Sequence, residues 1–331
     1  MSAFLLPLLL TAAQSDTEAL ERGRAATALF FSADPAPLAD TMTPEMLAAI
    51  GGRDGVGRLA AEVERIAGRE AEVLREAGYR EEDFVSYYRL SRFDRAASVT
   101  VNWVFAAADG RIGGASVAPS VTPAPTPHEG RRTRAKLRLP FGRPADGGGW
   151  YVSWGGRDAI SNYHVIAADQ RFASDYLLTR GGRFAADGGR RNEDHYCWNQ
   201  PVLAPAAGRV VSAVDDIADN PRPSVVTLGV PAPGNHVVIA HGKSEHSLIA
   251  HFRQGTLAVR VGQRVKAGQL LGLCGNSGNS SQPHVHYHLQ TGRSFGEGLG
   301  LPAFFNRYEA DGVPVERGEP QRGQVVVPAA D

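Results

Sequence analysis

The order of hydrophobic patterns predicts a two-domain chain: an N-terminal α+β domain, then an all-β sandwich or barrel. Three observations carry this. A helical period runs from Asp16 to about Gly78 and then gives way to two-residue alternation. A Pro-rich and basic stretch, "VTPAPTPHEGRRTR", interrupts both patterns. Beyond Lys136 the helical period does not return. The expected boundaries are 16–120 for the α+β domain, 121–135 for a linker and 136–331 for the β domain. Two domains also suit a chain of 331 residues.

The first residues, "MSAFLLPLLLTAAQS", join an apolar run to small residues near Ala12 and Ala13 and turn polar at Gln14. This is the outline of a signal peptide over 1–15, although no Lys or Arg precedes Phe4. The run is too short for a permanent membrane span, and no later segment is long and apolar enough for one. From Asp16, Leu20, Ala26 and Leu29 to Phe31 share a helical face, and "RLAAEVERIAGREAEVLREAG" reads as a long amphipathic helix. Strands follow in "FVSYYRLS" and "ASVTVNWVF", where Val99, Val101, Trp103 and Phe105 fall on one side. Asp109-Gly110 is a hairpin-type turn into a further short strand.

Residues 121–135 have no apolar pattern with which to bury a core and read as a partly extended linker, with His128 a solvated residue inside it. After it, "KLRLPF", "GWYVSWG", "RFASDYLL", "PVLAPAAGRVVSAV", "HVVIAHG", "HSLIAHF", "LAVRVGQRV", "QLLGLCG" and "HVHYHLQ" are short alternating or apolar runs separated by Gly, Pro, Asn and Asp. That spacing is the reason for the all-β expectation.

Composition excludes some functions. Lys plus Arg equals Asp plus Glu at 35 each, so no net field draws the chain to nucleic acid or an anionic membrane. "EDFVSYYRL" sets aromatics beside charges, but in a strand these are core and cross-strand residues rather than a base-stacking platform. "GNSGNS" is followed by neither Lys nor a helical pattern, so it is a turn-forming loop rather than a phosphate cradle. No Cys nucleophile motif occurs. Cys197 and Cys274 are compatible with a disulfide or with two buried thiols, and neither sits in the C-x-x-C spacing of a thiolate zinc site.

The chemistry-bearing stretch is "GNSGNSSQPHVHYHLQ", Gly275 to Gln290. His284, His286 and His288 recur every second residue, so in a strand all three imidazoles point to one face. Neighbouring members have Cα atoms about 7 Å apart and the outer two about 13 Å apart. With metal–nitrogen bonds of about 2 Å, His284 and His288 do not share one ion, and His286 belongs to either workable pair.

"GQLLGLCGNSGNSSQPHVHYHLQ", preceded by "SLIAHFRQGTLAVRVGQRVKAGQ" and "PVLAPAAGRVVSAV", resembles the lysostaphin-type (LytM-like) zinc metallopeptidases that cut peptidoglycan peptides. The resemblance covers roughly His164 to Gln290. It implies Zn²⁺ held by a His and an Asp of one motif plus the second His of an H-x-H pair. Here those positions are His164, Asp175 and His286, with His284 catalytic and the "IAHF" segment supplying a further catalytic residue, His251. The family's compact H-x-x-x-D does not fit, because the residue four after His164 is Ala168. Asp169 and Asp175 both follow, and Asp175 is the choice because it lies in the alternating "RFASDYLL". His288 departs from the family pattern and is expected to pack or to support a ligand. His241 is expected at the site's edge or a turn, and His195, His236 and His246 in structural roles.

Two neutral imidazoles and one carboxylate would leave zinc with net charge and an open position, as in catalytic sites. The resemblance thus implies a metalloendopeptidase acting on peptidoglycan, and the signal-peptide outline an exported protein, in the periplasm or at the cell surface. The alternatives are a catalytically inactive wall-binding or amidase-activating module and a zinc peptidase of other proteins. The N-terminal domain more loosely resembles the cone-shaped, nuclear-transport-factor-like α+β fold.

Overall fold

The computed structural model describes residues 16–242 and 244–330, and the expected signal peptide, 1–15, lies outside the described residues. The described residues fall into two compact units, 16–123 with Asp158–Ile166, and Ala124–Arg157 with 167–330.

The first unit has helices α1 (Thr17–Phe30), α2 (Pro44–Ala49) and α3 (Arg53–Ala67) and strands β1 (Glu70–Glu81), β2 (Phe84–Phe93), β3 (Val99–Ala106) and β4 (Ile112–Pro119). The strands form an antiparallel sheet in sequential order. Asp16 caps α1 by accepting the Ala19 amide at 2.9 Å. Gly23 lets α1 lie against the sheet, since a Cβ there would stand 1.9 Å from the Tyr87 ring. Thr27 of α1 accepts the Trp103 indole N–H at 2.9 Å, so this buried aromatic keeps its polar atom paired.

One expectation fails in this unit. The amphipathic run reading through to Gly78 stops being a helix at Gly68, whose φ is 80°, and Glu70–Glu81 is a strand. The residues from Ala71 to Glu76 are good helix formers, but pairing with β2 overrides that preference. Glu70 binds Arg89, and Glu72 binds Arg92 across the ladder. Charges spaced for a helix also match across strands, which is why periodicity misassigned the segment.

The second unit contains β5 (Gly149–Trp154), β6 (Ser174–Thr179), β7 (Pro201–Leu203), β8 (Gly208–Val214), β9 (Asn235–Gly242), β10 (Glu245–Phe252), β11 (Arg264–Val265), β12 (Leu270–Leu273), β13 (Val285–Gln290), β14 (Gly300–Leu301), β15 (Phe305–Ala310), β16 (Val313–Gly318) and β17 (Val325–Pro328). Its main sheet runs β11-β8-β9-β10-β13-β6-β5-β17-β15-β16, with β14 also on β13 and β12 pairing β7 separately. Two expected strands are only fragments: "KLRLPF" makes isolated bridges, and "LAVRVGQRV" contributes Arg264–Val265. One face of the sheet builds the core, with Val152, Tyr176, Val237, Ile239, Ile249, Val285, Tyr287 and Leu289 all buried. No helix among the described residues is long and apolar enough to cross a membrane.

Cys197 and Cys274 form a disulfide with Cα atoms 5.9 Å apart, closing 77 residues of chain that hold β7 to β12. Cys274 also exchanges backbone hydrogen bonds with the loop ahead of β7, from Asn199 and to Gln200. The crosslink anchors the start of the glycine-rich loop that leads to β13. In the chain-entropy account a loop of this length is worth about 4 kcal/mol. Replacing both cysteines by serine is expected to lower the free energy of urea unfolding by that order, and an unchanged midpoint would contradict a stabilising role.

Candidate metal centre and its histidines

β13 lies between β6 and β10 in the sheet, and this decides which side chains meet. His286 stands opposite Asp175 on one side and Ala250 on the other. Residues directly opposite share a face, so His236, Ala250, His286, Asp175 and Trp154 form one row across five strands. The alternating residues Val285, Tyr287 and Leu289 enter the core, which sends His286, His288 and Gln290 to the row's face.

Within the row, His286 Nδ1 is 2.8 Å from Asp175 Oδ1. His286 Nε2 is 2.9 Å from His288 Nδ1, and His288 Nε2 is 2.8 Å from Gln290 Oε1. His164, Asp175 and His286, all buried, offer ligand atoms within 4.8 Å of one another. His284 is not in this group, although its Nε2 lies 3.7 Å from Asp175 Oδ1. The alternative acid, Asp169, faces elsewhere and accepts the Gly296 amide at 2.8 Å.

The ring orientations suit a metal. His164 sits in a single helical turn, Tyr163–Ile166. Asn162 Oδ1 accepts the His164 backbone N–H at 3.1 Å, which identifies that atom as oxygen, and it lies 2.8 Å from His164 Nδ1. Nδ1 therefore carries the proton, and Nε2 presents a lone pair. Two imidazoles and one carboxylate, close together and out of water, are a donor set that fits Zn²⁺.

His251 and His284 have their ring centroids 4.6 Å apart. Each turns Nδ1 toward a carbonyl oxygen, Ser277 O at 2.7 Å for His251 and Gln282 O at 2.8 Å for His284. Both carbonyls are acceptors, so both rings carry a proton on Nδ1 and keep Nε2 for chemistry. Burial, then the neighbouring rings of His284 and His286, hold the His251 pKa well below the usual histidine value. His251 is therefore neutral at neutral pH.

His251 has φ of 65°, the left-handed region that side chains other than glycine seldom enter. Such a conformation costs of order 1–3 kcal/mol and needs support. The support is three hydrogen bonds: His251 N to Pro233 O at 3.2 Å, Gly275 N to His251 O at 3.0 Å, and the ring to Ser277 O. At about 1 kcal/mol each these offset the strain. The bulge between Ala250 and Phe252 follows from it and turns the His251 ring toward His284.

Several positioning residues carry no motif. Buried Asn235 donates to Ile217 O at 2.7 Å and Phe252 O at 3.1 Å and accepts the Ile217 amide at 2.9 Å. Its backbone N–H donates to Ser277 Oγ, which donates to Phe252 O. Ser280 Oγ sits 3.1 Å from His284 Nδ1. Gly278, with φ of 79°, packs where a Cβ would fall 2.4 Å from Gly234 N, as expected of a turn glycine in this loop. Gln290 was detectable, being the next member of the two-residue repeat after His288. Asn235 and Ser277 act through loops distant in sequence, Asn162 acts from a turn two residues before His164, and none of the three leaves a periodic signal.

The remaining histidines are held by ordinary partners. His241 bonds Ala207 O and Ser247, His236 bonds Gly234 O, and His195 lies 3.3 Å from Gly189 O. Burial lowers the pKa of His236, His241 and His246.

Residues 195–296 match the model of peptidase family M23. The chain carries a peptidase family M23 domain. Peptidoglycan DD-endopeptidase ShyA of Vibrio cholerae is 42% identical over 65 residues, 20% of this chain and 15% of ShyA. An uncharacterised metalloprotease of Haemophilus influenzae is 32% identical over 89 residues, 27% of this chain and 16% of that protein. The chain thus matches less than a fifth of the length of either relative. The catalytic domain of the antimicrobial peptidase lysostaphin from Staphylococcus simulans aligns over 45% of this chain and 80% of that one, at 21% identity and TM-score 0.25. The M23 domain contains His251, His284, His286 and His288, whereas His164 and Asp175 precede the matched stretch.

Replacing Asn235 with Ala leaves Ile217 N–H and Ile217 O without that partner, while Phe252 O keeps Ser277 Oγ, and each orphan shut off from water costs about 1–3 kcal/mol. The expected loss in urea unfolding is about 2 kcal/mol, and wild-type stability in this variant would show that the Asn235 side-chain bonds do not stabilise the fold.

Proposed function

We propose that this protein is a zinc-dependent endopeptidase that hydrolyses peptide bonds of cell-wall peptidoglycan. In this reading it is exported to the periplasm or cell surface. Residues 136–331 are the peptidase domain, 121–135 a linker, and 16–120 an accessory α+β domain of the nuclear-transport-factor-like kind. The observation that carries the reading is the grouping of His164, Asp175 and His286, with His284 close to Asp175 and the His251 ring beside that of His284. The M23 match over His251 to His286 and the likeness to a peptidoglycan endopeptidase support the choice of substrate class.

His164 through Nε2, Asp175 through a carboxylate oxygen and His286 through Nδ1 would hold the ion. Zinc, when bound, supplies a Lewis acid that polarises the scissile carbonyl and acidifies water. The remaining work falls to the two other histidines. His251, kept neutral by burial, accepts a proton at Nε2 while Ser277 O holds its other nitrogen. His284 takes the donor role toward the developing oxyanion in the form that also carries a proton on Nε2, the atom beside the Asp175 carboxylate. Gln282 O and Ser280 keep its ring in place.

Purified peptidoglycan incubated with the protein should release new peptide ends, and a chelator should stop the release. His251→Ala and His284→Ala should retain zinc and lose about 10²–10⁴-fold in rate. His286→Ala should lose the metal itself. Wild-type rates in either catalytic variant would remove that residue from the mechanism, and release from a protein substrate but not from peptidoglycan would redirect the substrate assignment.

A further inference from the structure

We infer that His288 and Gln290 are positioning residues that set the tautomer of His286 and so aim its Nδ1 lone pair at the metal. The inference rests on the zinc reading above and concerns a part of the strand that the H-x-H motif does not include.

The argument follows the donors. Gln290 Nε2 donates to Ser294 O at 2.9 Å and to Gly292 O at 3.3 Å, which identifies the other amide atom as the carbonyl oxygen. That oxygen accepts only, and it faces His288 Nε2 at 2.8 Å, so His288 carries its proton on Nε2. In neutral imidazole the other nitrogen is then an acceptor. His288 Nδ1 faces His286 Nε2 at 2.9 Å, so His286 must donate from Nε2. In the neutral ring its Nδ1 is left with a lone pair, 2.8 Å from an Asp175 oxygen that also has only lone pairs to offer. Two acceptors at hydrogen-bond distance repel unless a cation lies between or beside them. The chain of bonds thus makes the pair a ligand pair rather than a closed hydrogen bond.

Burial makes the direction binding. His288 and Gln290 are 0% exposed and His286 is 4% exposed, so water cannot substitute for a missing partner. Without an acceptor at position 288, His286 would regain its partner by moving the proton to Nδ1 and donating to Asp175. That proton would occupy the metal-facing nitrogen. A hydrogen-bonded supporting residue of this kind typically changes metal affinity about 10–100-fold.

The test is zinc affinity by chelator competition, with ring nitrogen NMR of ¹⁵N-labelled histidines in the metal-free protein. Wild type should bind one zinc and show His286 protonated on Nε2. His288→Leu, which keeps bulk and removes the acceptor, should lose about 10–100-fold in affinity and show His286 protonated on Nδ1. His288→Asn, which keeps an acceptor close to the Nδ1 position, should bind more tightly than the leucine variant. A role in packing alone predicts the reverse order, because leucine fills the space better. Zinc-binding wild type with unchanged affinity in both variants, or with His286 protonated on Nδ1, overturns this inference and leaves the zinc reading standing. Wild type that binds no zinc overturns both. The tautomer measurement on wild type decides the point even where a variant fails to fold.

Discussion

The pairing of β13 with β6 and β10 in one register is the constraint on which the candidate site depends. Opposite Asp175 and Ala250, His286 has a carboxylate on one side and a small residue on the other, which leaves room over the sheet for the rings of His251 and His284. A slip by one residue would turn His286 and His288 into the core and expose Val285, Tyr287 and Leu289. At roughly 1.5–3 kcal/mol for each buried side chain, the slip would cost about 5–9 kcal/mol before any charge is counted. That is comparable with the whole net stability of a domain. The core face therefore enforces the register of the polar face.

Around that strand the protein spends much of its polar hydrogen bonding on orientation. His164 is set by Asn162, His251 by Ser277 O, His284 by Gln282 O and His286 by His288. In each case the ring faces a group whose donor or acceptor character is already decided, so the tautomer follows. The strained backbone of His251 belongs to the same plan. A β-bulge redirects a side chain at the cost of an unfavourable φ, and the loop from Gly275 to Ser281, anchored by the disulfide at Cys274, stabilises it from below.

The sequence carried the alternation of the histidine strand, the turn character of its glycine loop and the change from helices to strands, because each is written in neighbouring residues. It misled at Ala71 to Gly78, where helix-forming residues join a sheet. Glutamates and arginines spaced for a helix also meet their partners across a strand pair, and the local pattern holds nothing that separates the two.

What local order determined, then, is that His284, His286 and His288 share one face, since side-chain direction in a strand repeats every two residues. Which of them stands with Asp175, which with His251 and which with Gln290 was decided by tertiary structure. Those partners lie up to 111 residues away along the chain and meet through sheet register, a backbone bulge and a disulfide. That Asp175 rather than Asp169 stands beside His286 has the same origin. Both acids follow His164 closely, but β6 pairs with β13 at Asp175, while Asp169 is taken up by the amide of Gly296.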